Sequence, residues 1–366
     1  MNREKQSLID IQRVILFVCV IGLGSQCTQQ TVDKKADGLC RIKMVDELET
    51  ITEGAATLQT NTRRTTYAYT ANGDLAQQLI NYEQRDSKKV INTYSYDESY
   101  AYDAEGYAIT QLSKSQWKTE YDSGEIIERT TYVYEAGRLS QSVRMVTAPN
   151  NSQAKITRQY NYDASGQLTQ LLEQTTYPNL PDSLRKQTLY PDGYSTTWTY
   201  KDGKAADYVL KTSGIEKRPY TLQNGLITRA ENDLSGSASV YTYDSQRRVI
   251  KDEYWQNGKL KYYTEYVPSA AKLTTQSLPV MKGFPIITNP NGERAAWASY
   301  KTYWRYDLNT STFYLTSDAQ TQYKLTGAGY TQLAETTDTQ RNSYPVPPTP
   351  RIRKNTQTYT YDGACD

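Results

Sequence analysis

The stretch that decides the fold is Tyr160-Asn161-Tyr162-Asp163-Ala164-Ser165-Gly166-Gln167-Leu168. Tyrosines two positions apart point to the same face of a β-strand. The aspartate that follows starts a tight turn through its side chain, and the glycine supplies the positive φ that a type I turn with a G1 bulge requires. The leucine then opens the returning strand. We therefore predict a β-hairpin here.

The same pattern recurs along the chain, closely at residues 100–106 and more loosely elsewhere. The residues predicted to form the repeated turns are Gly73, Asp103, Gly106, Gly137, Asp163, Gly166, Gly203, Gly225, Asp244 and Gly258. Arg247 takes the glycine place in one copy, so that turn is predicted to be strained or of another type. Because an isolated hairpin is marginal in water, neighbouring hairpins must stack. We expect an all-β fold, an antiparallel meander curled into an open shell or incomplete barrel.

The pattern Tyr-x-Tyr-Asp-x-x-Gly-x-Leu resembles the YD repeats of RHS-type proteins, which occur in bacterial toxin shells and in lipoproteins of Bacteroidetes-like bacteria. The resemblance covers roughly residues 67–260 and returns weakly at 359–363. It implies long antiparallel sheets that coil into a shell, in agreement with the stacked hairpins. The chain has no match to the autoproteolytic core motif of full RHS shells and no toxin-sized domain after the repeats. A toxin-enclosing role is therefore not expected.

Composition restricts the chemistry. The chain of 366 residues has 34 Tyr but 3 Phe and 5 Trp, and aromatic residues favour strands. Histidine is absent, which excludes imidazole-based catalytic triads and histidine metal sites. The 42 basic and 40 acidic residues nearly balance, which argues against a nucleic-acid partner. No cofactor or metal motif appears in the sequence.

The first residues indicate export. An apolar run at 14–23 follows Arg3, Lys5 and Arg13, and it is too short to span a bilayer as a helix. The segment that ends at Cys27 resembles the lipobox of bacterial lipoproteins, although Gly24 and Gln26 depart from the usual pattern. We predict a signal peptide at 1–26, a lipid anchor on Cys27, a tether at 27–39 and one β-repeat domain at 40–366. The protein would be an outer membrane lipoprotein, periplasmic or surface-exposed, held to the membrane by its lipid. The alternative is cleavage after Gly24, which would release a soluble secreted protein.

The cysteine count supports the lipoprotein reading. Removal of the signal leaves Cys27, Cys40 and Cys365, an odd number for an oxidising compartment. If lipid occupies Cys27, the other two can pair, and we predict a Cys40–Cys365 disulfide. The alternative is two unpaired buried thiols.

Two segments break the repeat. Residues 268–297 contain four prolines and the turn sequence Asn289-Pro290-Asn291-Gly292, which predicts an irregular insertion. Residues 345–350 contain four prolines and predict a stiff, extended spacer before the last strand.

Catalytic signals are weak. The string Ser-x-x-Lys occurs four times, but its companion motifs are absent. Asp103, Asp163 and Asp244 recur with the scaffold, as structural turn residues would. A transmembrane barrel would alternate apolar residues with polar ones, whereas these strands alternate Tyr and Thr with charge.

Aromatic side chains give the better functional signal, since flat amphipathic rings can stack on sugars or peptides. The candidate stacking residues are Trp117, Trp198, Trp255, Trp297 and Trp304. The alternative is that these rings fill the core. We expect a non-enzymatic, lipid-anchored cell-envelope protein that binds or scaffolds, with a glycan or an envelope protein as ligand. The alternative function is a hydrolase that uses acidic residues inside the β shell.

Overall fold

The structure is a computed structural model. It describes residues 40–362 and Cys365, except for 87–88, 180–191, 213, 233–235, 272–280, 286–288, 293–294, 307–310 and 342–349. The predicted signal peptide, Cys27, the tether and most of the proline-rich spacer lie outside the described residues. Among the described residues, no helix is long and apolar enough to cross a membrane.

The described chain consists of β-strands joined by turns and loops. The strands are β1 (Arg41–Glu53), β2 (Ala56–Tyr69), β3 (Leu75–Asp86), β4 (Lys89–Tyr102), β5 (Ala108–Thr119), β6 (Ser123–Glu135), β7 (Arg138–Thr147), β8 (Gln153–Tyr162), β9 (Leu168–Thr176), β10 (Tyr194–Lys201), β11 (Lys204–Thr212), β12 (Ile215–Lys217), β13 (Tyr220–Gln223), β14 (Leu226–Asn232), β15 (Ser237–Tyr243), β16 (Val249–Gln256), β17 (Lys259–Pro268), β18 (Trp297–Trp304), β19 (Tyr314–Leu325), β20 (Thr331–Gln340) and β21 (Arg351–Asp362). All belong to one antiparallel sheet.

The sheet is a meander that returns to its start. Consecutive strands pair from β1 to β12 and from β13 to β21, and β21 pairs with β1. The two edges are therefore β12 and β13, and within the described residues no ladder joins them. Only Arg218 and Pro219 separate these strands, and proline has no N–H to donate to a ladder. The predicted all-β open shell is confirmed.

The hairpin turns lie at two ends of the sheet. We call one end the turn rim: it holds the turns after β2, β4, β6, β8, β10, β13, β15 and β19, together with the insertion between β17 and β18. The other end is the opposite rim. Gly258 joins β16 to β17 and so lies at the opposite rim, out of series with the other predicted turn glycines. Spacing along the sequence could not show this, because each strand reverses the direction of the chain.

Two kinds of turn occur. In the first, an aspartate closes a five-residue loop: Asp103 Oδ1 accepts the N–H groups of Glu105 and Tyr107, each at 2.9 Å. Asp163 and Asp244 accept equivalent hydrogen bonds. In the second kind, only two residues connect the strands and both have positive φ, as at Ala136-Gly137, Asp202-Gly203, Asn224-Gly225 and Asn257-Gly258. These are type I′ turns, whose twist matches that of the strands, and not the predicted G1 type.

Arg247 holds the glycine place of its turn with a φ of 63°, in the left-handed region that favours glycine. The turn keeps the common pattern, because Arg247 N–H donates to Asp244 C=O at 3.0 Å as Gly106 N–H does to Asp103 C=O at 3.1 Å. It is therefore strained and not of another type. The Arg247 guanidinium donates to Asn224 C=O at 3.0 Å, which ties two neighbouring turns together.

A disulfide joins Cys40 to Cys365, as predicted. It lies at the turn rim, where β1 begins and β21 ends. The ladder between these strands runs from Arg41 opposite Asp362 to Glu53 opposite Arg351. The first and last described strands are thus neighbours in the sheet.

The largest hydrophobic cluster lies on β7 to β14. Its members are Leu139, Tyr160, Leu168, Leu171, Trp198, Tyr200, Ala205 and Ile227. The insertion covers part of it: Phe284 packs against this cluster, Gly283 C=O accepts the Leu139 N–H at 2.8 Å, and Pro290 C=O accepts the Ile227 N–H at 2.7 Å. The insertion therefore fastens β7 to β14 along the turn rim.

Candidate functional site

The five tryptophans occupy different environments. Trp198 is 6% exposed and packs between Tyr208 and Tyr220, with ring centroids 4.6 and 5.8 Å away. Trp117 packs against a second buried cluster, which contains Ile126 and Ile156. Trp198 therefore belongs to the core, whereas Trp117 is half-buried. The other three lie on β16 and β18: Trp255 near the end of β16, and Trp297 and Trp304 at the two ends of β18.

Two rows of rings lie on opposite faces of neighbouring strands, the first on β16, β17 and β18 and the second on β17 and β18, and we call them together the aromatic surface. The first row is Tyr254, Tyr262 and Trp304, with neighbouring centroids 4.9 and 4.7 Å apart and ring planes within 14°. The second row, on the other face of β17, is Tyr263 and Tyr303 at 4.8 Å, with Phe313 edge-on at 5.2 Å. The ring-bearing strand residues of both rows are half-buried.

The spacing within these rows is the distance between paired strands. The rings therefore turn their faces toward one another, and a ligand would meet their edges, the tyrosine hydroxyls and the faces at the ends of a row. Cations border the rows: Lys251 Nζ lies 4.8 Å from the Tyr263 ring centroid, and Lys261 Nζ lies 5.7 Å from that of Trp304.

The tyrosines of the aromatic surface were not among the residues predicted from the sequence, where tryptophan alone drew attention. A signal was present. The segments 254–255, 262–263 and 303–304 each contain two adjacent aromatic residues, and adjacent residues point to opposite faces of a strand. Such doublets on three paired strands place rings on both faces of the sheet.

A buried carboxylate lies on β4. Glu98 is 8% exposed and accepts a hydrogen bond from Gln111 Nε2 on β5. The other side-chain atom of that amide, Gln111 Oε1, accepts the Tyr132 hydroxyl at 2.5 Å. Burial raises the pKa of Glu98, although hydrogen bonds from Tyr96, Gln111 and Tyr100 act in the opposite direction.

Three other carboxylates of low exposure are paired. Glu128 forms an ion pair with Arg144 at 2.5 Å, and Glu173 forms one with Arg158 at 2.7 Å. Glu49 accepts a hydrogen bond from Asn61 and pairs with Arg353. Buried charges require such partners, because unpaired they cost several kcal/mol. The described part of the chain contains no group of three or more acidic or cysteine side chains placed to hold a metal ion.

The recurring aspartates serve the turns. The Ser165 hydroxyl and the backbone N–H of Gln167 donate to Asp163, and these hydrogen bonds lower the pKa of its carboxyl. Asp103 and Asp244 hold their own loops in the same manner. Their carboxylates are occupied by the backbone that they organise.

No protein-family model matches the chain, and no curated protein matches it. Among solved structures, a porin-like protein from Bacteroides uniformis has a TM-score of 0.35 and 11% identity, over 90% of this chain and 100% of that one. Omp33, an outer membrane protein of Acinetobacter baumannii, has a TM-score of 0.29 and 8% identity, over 88% and 100%. The alcaligin outer membrane receptor FauA from Bordetella pertussis has a TM-score of 0.23 and 7% identity, over 87% and 76%. Similarity at these TM-scores does not identify what this chain does.

Proposed function

We propose that the protein is a lipid-anchored component of a bacterial cell envelope that binds or scaffolds without catalysis. Its ligand is a glycan or another envelope protein, and the aromatic surface is the observation that carries this proposal. The relation to YD repeats of RHS-type proteins is part of the proposal. It is supported by the shared arrangement of the aspartate turns, in which Asp103, Asp163 and Asp244 make the same backbone contacts.

The aromatic surface offers what a sugar or peptide ligand needs. Tyrosine and tryptophan combine large apolar rings with polar atoms at their edges. Each row has a cation beside it, Lys251 at Tyr263 and Lys261 at Trp304, which can orient a ligand bound to that row. Half-buried rings held by their neighbours lose little conformational freedom on binding, which favours affinity.

The position of the first strand is compatible with a lipid anchor on Cys27. β1 starts at the turn rim beside the Cys40–Cys365 disulfide, so a tether that leads to Cys27 leaves the shell there. The opposite rim would then be the end farther from the membrane. Trp304 and Tyr262 lie near that end of β18 and β17.

The anchor is tested by Cys27→Ser, with Cys19→Ser as the matched control inside the predicted signal core. We expect the first variant to leave the membrane fraction and the second to remain there, because only Cys27 would carry lipid. Mass measurement of the mature protein, with and without globomycin, checks the modification. Membrane association of Cys27→Ser equal to that of the wild type would contradict the proposal.

The binding surface is tested on a glycan array with the full-length protein. Tyr262→Ala and Trp304→Ala should reduce the signal of any glycan that binds, while Tyr121→Ala should not. Tyr121 is 90% exposed in the turn between β5 and β6, outside the strands of the aromatic surface, and makes a suitable control. A positive array signal that survives both substitutions in the aromatic surface would remove that surface as the site.

The alternative function, a hydrolase with acidic residues inside the shell, draws on Glu98. A buried carboxyl with a raised pKa is a common form of general acid. Against it, Glu98 is hydrogen-bonded on several sides, and the nearby Glu128 is held by Arg144. If the protein binds glycans without hydrolysing them, the array ligands should be recovered intact after incubation with it. Cleavage that disappears in Glu98→Gln would establish the hydrolase instead.

A further inference from the structure

The hydroxyl of Tyr266 on β17 has a carboxylate as its partner. It donates to Asp252 Oδ2 on β16 at 3.0 Å. Tyrosines of the repeat donate instead to backbone carbonyls, as Tyr102 does to Leu75 C=O at 2.7 Å. A backbone carbonyl accepts a hydrogen bond without taking up the proton, whereas a carboxylate can do both. Tyr266 can therefore lose its proton to a neighbouring side chain.

Asp252 is held in place as the acceptor. Its Oδ1 accepts the backbone N–H of Thr264 at 3.2 Å, which leaves Oδ2 for Tyr266. Asp252 lies directly opposite Thr264 in the ladder between β16 and β17, and Tyr266 lies two positions further along the same face of β17. The strand register therefore brings the carboxylate and the phenol together.

Two more rings make Tyr266 part of a chain. On β18, the ring centroids of Trp297 and Tyr300 lie 4.7 and 6.3 Å from that of Tyr266. All three rings are half-buried. Tyr300 lies opposite Ala319, which is 0% exposed, and Ala319 lies opposite Asp338 on β20. Burial and the nearby Asp338, which accepts a hydrogen bond from the Tyr300 hydroxyl, raise the pKa of Tyr300. Each tyrosine of the chain thus has its own carboxylate.

This arrangement suits oxidation by one electron. A phenol that loses an electron also loses its proton, because the phenol radical cation is a very strong acid. Inside a protein, transfer of that proton to a bonded carboxylate in the same step avoids an isolated charge in surroundings of low polarity. An indole ring is readily oxidised, and rings in contact exchange electrons rapidly. Trp297 can therefore pass an oxidising equivalent to Tyr266.

The first row of the aromatic surface has similar spacing but a different chemistry. Trp304, Tyr262 and Tyr254 follow one another at 4.7 and 4.9 Å. Asp252 acts on Tyr262 only through its charge, and in the part of the chain that the structure describes no carboxylate accepts a hydrogen bond from Tyr262 or Tyr254. This row is therefore a matched comparison within the same molecule.

We propose that Tyr266 is a redox-active tyrosine that takes up one oxidising equivalent through Trp297, with Asp252 as the proton acceptor. The co-reactant is a small radical that acts as a one-electron oxidant at the half-buried indole. The radical gains an electron from Trp297, and Trp297 regains one from Tyr266. The O–H bond of Tyr266 breaks, its proton passes to Asp252 Oδ2, and a neutral tyrosyl radical remains. This activity does not depend on glycan binding.

The test uses full-length protein and azide radicals generated by pulse radiolysis, which oxidise tryptophan in preference to tyrosine. Transient absorption should show tryptophan radicals that decay as tyrosyl radicals form, at rates independent of protein concentration. The fastest of these phases should be lost in Trp297→Phe and in Tyr266→Phe. Trp304→Phe, at the other end of β18, is the matched control and should retain it.

Asp252→Asn tests the proton acceptor. The asparagine side-chain oxygen can still accept the Tyr266 hydrogen bond but cannot take up the proton. The rate of the fastest phase should fall about a hundredfold, as for loss of a positioned proton acceptor. In the wild type the same phase should be slower in D2O, since an O–H bond breaks in the step, and this measurement needs no variant. Circular dichroism checks the fold of each variant.

Three results would overturn the proposal. A fastest phase that persists in Trp297→Phe or Tyr266→Phe would assign the transfer to other rings. An unchanged rate in Asp252→Asn, or the absence of any slowing in D2O, would show that the proton does not move to Asp252 in this step. Loss of the fastest phase in Trp304→Phe alone would assign the activity to the first row of the aromatic surface.

Discussion

At the scale of single residues, the second tyrosine of the repeat has a function that its sequence does not reveal. Its hydroxyl donates to the backbone C=O of the residue two places after the previous turn glycine or its equivalent. The donor and acceptor pairs are Tyr69 with Ile42, Tyr102 with Leu75, Tyr162 with Leu139, Tyr243 with Ile227, and Tyr361 with Thr331, at 2.5 to 2.8 Å. The Tyr134 hydroxyl has no such partner, but each of these five bonds joins a hairpin to the one before it. This explains why the pattern requires tyrosine, since phenylalanine could pack but not donate.

The residue directly after several of the turn glycines contributes a second contact between hairpins. Its side chain lies over the glycine of the following turn: Arg138 lies over Gly166, and Tyr107 lies against Gly137. A Cβ on Gly166 would meet the Arg138 guanidinium at 2.1 Å. Glycine at this position therefore meets two requirements: it adopts a positive φ of 87°, and it leaves room for the neighbouring Arg138 side chain.

Tyr162→Phe tests the bond between hairpins. It removes the hydrogen bond to Leu139 C=O and leaves that half-buried acceptor unsatisfied, so the free energy of unfolding should fall by about 1 kcal/mol. Tyr121→Phe, at an exposed turn, should change it little. Urea denaturation of both variants and the wild type measures the effect. Equal stability of the two variants would show that the hydroxyl contributes nothing.

Glu98→Gln tests the buried carboxyl. In the unfolded chain a glutamate carboxyl titrates at about pH 4.3, and burial raises the pKa of Glu98 in the folded state. Between these two pKa values the folded state holds more protons, so the contribution of Glu98 to stability is present below about pH 4.3 and is lost as the pH rises through the folded pKa. The stability of the wild type relative to Glu98→Gln should therefore decrease from pH 4 towards neutrality.

The measurement for this carboxyl is a series of urea midpoints against pH. Glu135→Gln, at an exposed position of β6, is the control and should not show this dependence. If the difference in stability between the wild type and Glu98→Gln stays constant with pH, the pKa of Glu98 is the same in the folded and unfolded chains.

At the scale of elements, the two chain ends together form one more hairpin of the series. Ile42 on β1 lies opposite Tyr361 on β21, with a bulge just beyond, as Leu168 lies opposite Tyr162. Arg41 lies over Gly73, and Ile42 C=O accepts the Tyr69 hydroxyl, so both contacts to the next hairpin are present. The Cys40–Cys365 disulfide takes the place of the turn.

A circular permutant tests this composite hairpin. Asp362 would be joined to Arg41 through Ala-Ser-Gly, the three residues that follow Asp163, and new ends would be opened between Arg218 and Pro219. The permutant has neither cysteine of the disulfide, yet it should unfold cooperatively with a stability close to that of the oxidised chain. The Cys40→Ser/Cys365→Ser variant, without the joined turn, should lose up to about 5 kcal/mol.

Denaturant unfolding compares the three proteins at equal concentration. A permutant that is less stable than the double cysteine variant would show that a turn cannot replace the disulfide. The ladder between β1 and β21 has many other contacts, including the ion pair between Arg351 and Glu53, so the double variant should still fold.

At the scale of the whole molecule, the buried face of the sheet is rich in tyrosine and polar side chains. Burial raises the pKa of many tyrosines, to about 12 for Tyr162 and further for Tyr96 and Tyr100. Tyrosine in an unfolded chain titrates at about pH 10. The stability that these residues contribute is present below that pH and is lost as the pH rises through their folded pKa values.

We therefore expect cooperative alkaline unfolding. After a rapid shift to a pH just above 10, the tyrosines whose pKa is raised by burial should ionise only as the sheet unfolds. Tyrosinate absorbance and circular dichroism, recorded together over time, check this. Ionisation of all tyrosines while the β-sheet signal is unchanged would contradict it.

Much of this architecture could be predicted without coordinates. Tyrosines at alternate positions, aspartate, and glycine at a fixed distance specify a hairpin by local geometry, and stacking follows because one hairpin cannot bury its face alone. The Cys40–Cys365 pairing followed from the cysteine count, and the insertion from its prolines. These are local or compositional properties, and they need no knowledge of which strands are neighbours.

The remaining features depend on strand order and register. The opposite-rim position of Gly258, the tyrosine bonds to the preceding hairpin, and the hydrogen bonds from Tyr96, Tyr100 and Gln111 to Glu98 arise only when strands pair. The burial of Trp198 and the half-burial of Trp304 likewise depend on which neighbours the sheet brings to each ring. Tryptophan in a strand has the same local preference in both cases, so tertiary packing decides which ring a ligand can reach.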